Sequence, residues 1–161
     1  MKAFLEEFSR TIESGKKQLL AIPEEQAAVG QPGKWSAKQI VGHLIDSASN
    51  NHQRFVRAQT TKDLICPGYD QDAWVTTQGY DQEPWLDLVQ LWSAYNKHLL
   101  HFVSTMSDDV LTRERIEHNL DVVAFKAVPK TTPTTLEYFV RDYADHMVHH
   151  LIQILGHEPT S

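Results

Sequence analysis

Four stretches of the chain repeat apolar residues at three- and four-residue steps, a spacing that places them on one face of an α-helix. The pattern predicts helices over residues 2 to about 22, 37 to about 58, 85 to about 106, and 136 to about 155. Each helix then has one broad apolar face and one polar face. A bundle in which the four apolar faces share a core is the simplest way to bury them.

Polar residues that commonly cap helices stand beside two of these stretches. Ser36 and Gln39 have the three-residue spacing of a capping box before the second helix, and Thr134 and Glu137 have the same spacing before the last. Gly156 follows the last apolar residue, where glycine often ends a helix. The sequence therefore predicts sharp boundaries for the second and fourth long helices.

The connections between the helices are one short and two long. Residues 60–83 show no sustained period and are predicted to be a long loop with one short helical turn near 72–75. Residues 107–133 are mixed, with a turn expected near 108–112 and extended chain near 121–128. Long connections can join parallel as well as antiparallel neighbours, so periodicity alone leaves the order of the helices open.

The composition is compatible with one all-α domain, a four-helix bundle over residues 1–161. A chain of this length can bury roughly 68–70% of its unfolded surface around a single core. No apolar run approaches the roughly 20 residues that cross a bilayer. Acidic residues interrupt the N-terminal segment, so it does not resemble a secretory signal, and a cytoplasmic location is expected.

The net charge of −6, with no basic block, gives little of the positive surface that nucleic-acid binding requires. No nucleic-acid partner is therefore expected. Nine histidines are the most unusual feature of the composition. They direct attention to metals and proton chemistry.

The run DYADHMVHH places three histidines near the end of the fourth long helix. His146 and His150 are four residues apart, so their Cβ atoms lie about 5–6 Å apart on the face expected to look into the bundle. His149 falls on another row, with Asp142 and Asp145 as neighbours, and is expected to be solvated. The spacing predicts one inward pair.

A third ligand is needed, because one histidine pair at this spacing is common by chance in a histidine-rich chain. His43, on the flank of the apolar face of the second helix, is the candidate. With His146 and His150 it would hold a divalent metal and leave one position open to water or substrate. The alternative is that the three are buried polar residues, hydrogen-bonded to Tyr95, Tyr143 or the backbone.

The segments KWSAKQIVGHLIDS and YFVRDYADHMVHHLIQIL, in this order, resemble the DinB-like family, also called the DinB/YfiT-like metalloenzymes. The resemblance covers most of the chain. It implies a four-helix bundle with up-down-down-up topology and a metal site at His43, His146 and His150. Family members often form dimers, so a homodimer is an expectation as well.

The resemblance implies nickel, zinc or another divalent ion as the cofactor and a small molecule as the substrate. Some relatives transfer low-molecular-weight thiols such as bacillithiol or mycothiol, so a thiol S-transferase is one candidate activity. A metal with an open position equally suits a hydrolase. The competing class is a non-catalytic bundle that binds a small ligand or a protein partner, with a vestigial or unoccupied histidine site.

Overall fold

The structure, a computed structural model, describes residues 1–159. Positions 160 and 161 of the domain predicted over 1–161 lie outside the described residues. The helices are α1 (Lys2–Leu20), α2 (Glu24–Ala27), α3 (Ala37–Ala58), α4 (Gln71–Gln78), a 3-10 turn (Tyr80–Gln82), α5 (Trp85–Ser104), α6 (Asp108–Thr112), α7 (Leu120–Val123) and α8 (Leu136–Leu155). Within residues 1–159 the only β-structure is two isolated bridges.

The four long helices α1, α3, α5 and α8 confirm the predicted all-α bundle, and each ends within two residues of its predicted boundary. The capping box of α3 is also confirmed. Ser36 Oγ accepts from Gln39 N at 3.2 Å, and Gln39 Oε1 accepts from Ser36 N at 2.9 Å. This pair fixes the start of α3 two turns before His43.

Helix α1 packs against α5 and α8. Trp85 Nε1, at the start of α5, donates to the carbonyl of Leu19 at the end of α1 at 2.9 Å, so α1 and α5 are antiparallel. Gly15, in the last third of α1, packs on Leu151, near the end of α8. Helices α1 and α8 are therefore parallel.

Helix α3 completes the four-sided arrangement by packing against α5 and α8. Its Phe55 stacks edge-on against Phe139 at the start of α8, with ring centroids 5.5 Å apart, so these two helices are antiparallel. His52 and His98, late in α3 and α5, lie 5.1 Å apart by ring centroids, so those two helices are parallel. The order is up-down-down-up, as the family resemblance implied.

The parallel pair explains the long connection between α3 and α5, which must return along a helix of 22 residues, roughly 33 Å. Part of this connection packs closely on α3. A Cβ atom at Gly42 would lie 2.0 Å from the Tyr80 ring, so only glycine leaves room for that ring. Tyr80 Oη then donates to Asp46 Oδ1 at 2.7 Å, which ties the connection to α3.

Three local predictions need correction. The turn expected near 72–75 is the eight-residue helix α4, which begins after Asp70 and ends at Gly79 with φ of 63°. The chain expected to be extended over 121–128 begins instead with the short helix α7, in which Leu120 is buried and Val122 is exposed, so the strand preference of its valines does not decide the local structure. The cap of α8 is Thr135, whose Oγ1 accepts from Tyr138 N, while Thr134 pairs with Arg115 in a β-bridge.

None of the helices described between residues 1 and 159 has both the length and the apolar character needed to cross a membrane.

Candidate metal centre

Three histidines from two antiparallel helices meet at one point of the bundle. His43, in the second turn of α3, presents its Nε2 3.2 Å from Nε2 of His146 on α8. His150, one turn further along α8, presents its Nε2 3.0 Å from the same nitrogen. In the described part of the chain, this is the one group of histidine, cysteine or acidic side chains spaced to hold a metal ion, with ligand atoms within 4.8 Å of one another.

Burial keeps these imidazoles neutral, because water no longer solvates their protonated forms. It lowers the pKa of His43 to about 4, with a smaller contribution from the neighbouring His150. The pKa of His146 is lowered to about 3 by burial and by the adjacent histidines. Burial also lowers the pKa of His150. Neutral imidazole is the form that binds a metal.

Two side chains orient the ligand rings through their other nitrogens. Gln153 Oε1 lies 2.9 Å from Nδ1 of His150, so it accepts from the Nδ1–H and leaves a lone pair on Nε2. Ser47 Oγ lies 3.4 Å from Nδ1 of His146. Nδ1 of His43 is buried and has no hydrogen-bond partner among the described residues, and the Trp35 ring packs beside that imidazole.

The donor set fits a divalent cation. Nitrogens bound to one zinc ion at 2.0–2.1 Å in tetrahedral geometry are about 3.3 Å apart. The Nε2 separations of 3.0 and 3.2 Å from His146 are close to that value. Ring nitrogens that face each other repel unless a proton or a cation lies between them. Three imidazoles also leave room in the coordination shell for water or substrate.

The open side of the cluster faces a cavity of about 400 Å³ between α3, α8 and the two long connections. His43, His146 and Tyr143 belong to its wall, together with Phe125 from the segment after α7. The Phe125 ring lies 5.4 Å from the ring of His146, by centroids. A small molecule in this cavity would lie directly beside the histidines.

The structure brings together the predicted set of His43, His146 and His150 and leaves His149 exposed outside it. His149 accepts from Gln153 Nε2 at 3.0 Å. Asp142, grouped with His149 in a solvated row, is instead 4% exposed. Its carboxylate accepts from the backbone N–H groups of Phe125 and Lys126, because the chain after α7 covers this part of α8.

Sequence reasoning missed the two residues that orient the ligand rings. Both stand at helical spacing from a ligand, since Ser47 is four residues after His43 and Gln153 is three residues after His150. Spacing alone could have suggested Gln153, which contacts the histidine one turn before it, but not Ser47, whose partner His146 lies on another helix. The other interpretation, in which Tyr143 satisfies the histidines, does not match the contacts, because Tyr143 Oη donates to Asn96 Oδ1 at 2.6 Å.

The fold and the cluster together define a class, a four-helix bundle of up-down-down-up topology with a candidate metal centre between its second and last long helices. The sequence model of the DinB superfamily matches residues 7–154. The chain belongs to the DinB superfamily.

Comparison with a solved structure agrees with the fold. The chain superimposes with a TM-score of 0.77 and 19% identity on a structure described as "YfiT from Bacillus subtilis is a probable metal-dependent hydrolase with an unusual four-helix bundle topology". The match covers 96% of this chain and 83% of that one. At 19% identity, this similarity shows a shared fold and no more.

Curated relatives from Bacillus cereus and Bacillus anthracis, each named "Putative metal-dependent hydrolase", are 26% identical over 122 residues. The match covers 76% of this chain and 64% of each relative, less than two thirds of their length. The activity stated in these names refers to the Bacillus proteins themselves.

Proposed function

We propose that the chain is a divalent-metal-dependent enzyme that hydrolyses a small molecule, with His43, His146 and His150 as the metal ligands. The observation that carries this proposal is the meeting of three neutral imidazoles, two of which, His43 and His146, line a cavity. Zinc and nickel both suit such a set, because imidazole binds either ion well. The names of the Bacillus relatives favour hydrolysis as the reaction.

A divalent metal at this point would supply Lewis acidity, which lowers the pKa of a coordinated water or thiol and makes a nucleophile available near neutral pH. The protein's own part is to hold three nitrogens in place. Gln153 keeps the proton of His150 on Nδ1, so that Nε2 stays available as a ligand atom. Ser47 restrains the ring of His146 in the same way, from the opposite helix.

The segment after α7 covers part of the site. Asp142 fixes it by accepting from Phe125 N at 2.8 Å and from Lys126 N at 2.6 Å. The Phe125 side chain, 42% exposed, then packs beside His146, with ring centroids 5.4 Å apart. A substrate bound under this ring would lose water around its reacting group, which strengthens every electrostatic interaction there.

The metal ligands are tested by substitution of three neighbouring histidines on one helix. His146→Ala and His150→Ala should each lose most of the metal bound after loading with zinc, because each removes one of three ligands. His149→Ala is the matched control, since this exposed side chain contributes no atom to the cluster. The measurement is metal per chain by elemental analysis after dialysis. Equal metal content in all three variants would rule out the assignment.

The reaction is tested on the metal-loaded protein with small esters and amides, and separately with small thiols plus an electrophile. Hydrolysis that disappears in His146→Ala supports the proposal. Turnover that requires a thiol would show that the reaction at this site is thiol S-transfer and not hydrolysis. Zinc loading without any turnover in either screen would favour a module that binds a small ligand.

A further inference from the structure

A buried arginine lines the cavity beside the histidine cluster. Arg54 is 5% exposed and belongs to the same cavity wall as His43 and His146. It continues a row on α3 formed by His43, Ser47 and Asn51, spaced by three or four residues. The proposed reaction at the histidines gives Arg54 no role.

The hydrogen bonds of Arg54 use neutral acceptors and leave donors free. One terminal nitrogen, Nη1, donates to Asn51 Oδ1 at 3.2 Å, and the other, Nη2, donates to the carbonyl of Pro67 at 2.7 Å. Nε is buried and has no acceptor among the described residues. A guanidinium group has five N–H donors, so three remain for another partner.

No carboxylate in the described part of the chain forms an ion pair with this guanidinium. The acidic side chain on the same cavity wall, Asp142, is occupied by two backbone N–H groups. The rings of Tyr69 and Phe139 flank the guanidinium at 6.0 and 5.9 Å from their centroids, which stabilises a cation without cancelling its charge.

Such a group is costly in a folded protein, because a buried charge without a counter-charge loses hydration and gains no ion pair. Burial lowers the pKa of Arg54, but arginine remains protonated in proteins. A ligand anion entering the cavity would supply the missing counter-charge. It would also accept from the free N–H groups, in the geometry that arginine offers to carboxylates.

We propose that Arg54 binds a carboxylate group of the small-molecule substrate, while the reacting end of that substrate lies at the histidines. This inference deepens the proposed function and rests on it for the position of the reacting end. His43 and Arg54 are 11 positions apart, roughly 16 Å along the helix axis. Arg54 bends back toward Asn51, so the two ends of the substrate are on the order of 10 Å apart.

A hydrogen-bonded row connects the two ends of the cavity. Asn51 accepts from Arg54 and donates through Nδ2 to Ser47 Oγ at 3.3 Å, and Ser47 lies against His146. The row aligns the guanidinium with the ligand imidazoles on one wall. A substrate carboxylate bound at Arg54 would therefore orient the rest of the molecule along α3.

The test compares two probes of equal length on the zinc-loaded protein, 6-mercaptohexanoate and 6-mercaptohexanol, by isothermal titration calorimetry. The carboxylate probe should bind at least about tenfold tighter to the wild type, as expected for a charge-assisted pair out of water. Arg54→Met should bring the two affinities within about twofold, and Arg54→Lys should retain part of the preference. Arg57→Met, which removes an exposed arginine one turn away, should leave the preference unchanged.

Equal affinities of the two probes for the wild type would overturn the inference without any variant. A preference that survives in Arg54→Met, with its fold verified by circular dichroism, would overturn it as well. If the proposed metal site is wrong, the experiment gives a different result. In that case hexanoate and 6-mercaptohexanoate bind equally well, because the thiol finds no metal, while the preference for the carboxylate still depends on Arg54.

Discussion

His146 is the ligand in contact with both others, since its Nε2 lies 3.2 Å from Nε2 of His43 and 3.0 Å from Nε2 of His150. Its ring can act as a ligand only if it is neutral and held in the correct plane. Burial provides the first condition by lowering its pKa to about 3. The Ser47 hydroxyl on the facing helix contributes to the second. The chemistry of one residue thus depends on a contact between two helices.

Ser47→Ala should weaken zinc binding about tenfold while the protein still folds, because groups that orient ligand imidazoles typically contribute 10- to 100-fold to metal affinity. The measurement is a competition titration against a zinc chelator. Ser93→Ala, which removes a buried hydroxyl from α5, is the control and should bind zinc as the wild type does. Unchanged affinity in Ser47→Ala would remove this serine from the site.

Helix α3 carries the cluster's first ligand and is held in register by its contacts with the connection to α5. The Tyr80 ring lies where a side chain at Gly42 would be, one position before His43. Tyr80 also donates to Asp46 on the next turn. The position of His43 opposite α8 therefore depends on a close approach that glycine permits.

Gly42→Ala should destabilise the fold by about 1–3 kcal/mol, the usual cost of forcing extra atoms into a packed core. A new Cβ would lie 2.0 Å from a ring carbon near the root of the Tyr80 side chain, which cannot move away easily. Urea unfolding measures the change in the free energy of unfolding. Gly68→Ala is the control, because a Cβ there meets no atom within 4 Å. A loss no larger than in this control would contradict the packing account.

The helices that the sequence predicted correctly are those in which apolar residues repeat along one face. The length of helix α4 is underestimated from the sequence because Val75 is its one buried residue. No row of apolar residues therefore marks this helix in the sequence. The sequence places the N-cap of α8 one residue too early, at Thr134, because threonine at either 134 or 135 is a suitable cap. Only the β-bridge between Thr134 and Arg115 distinguishes the two. Pairings between distant segments are not encoded in local spacing.

The whole bundle joins two distant parts of the sequence, since His43 and His146 are 103 residues apart. Helical phase could place each histidine on an inward face, and the family resemblance linked them. Phase could not reveal that Asp142 holds the segment carrying Phe125, because that contact depends on how the chain between α5 and α8 folds back. The spacing of apolar residues also could not predict the up-down-down-up order of the helices.

A metal that links α3 to α8 should stabilise the folded bundle, because it binds the folded chain and not the unfolded one. Zinc at about 100 times its dissociation constant adds about 2.7 kcal/mol. For a chain of this size that should raise Tm by about 5–10 °C. Calorimetry with and without zinc measures the shift, and His146→Ala should show little of it. An unchanged wild-type Tm with zinc present would contradict a site that links the two helices.

The most direct test of the central claim is elemental analysis of the wild-type protein, purified without an affinity tag or added metal. A site of three converging imidazoles predicts about one equivalent of a divalent transition metal per chain, or uptake of one equivalent on titration. Less than about 0.1 equivalent of any such metal, with no uptake on titration, would contradict it.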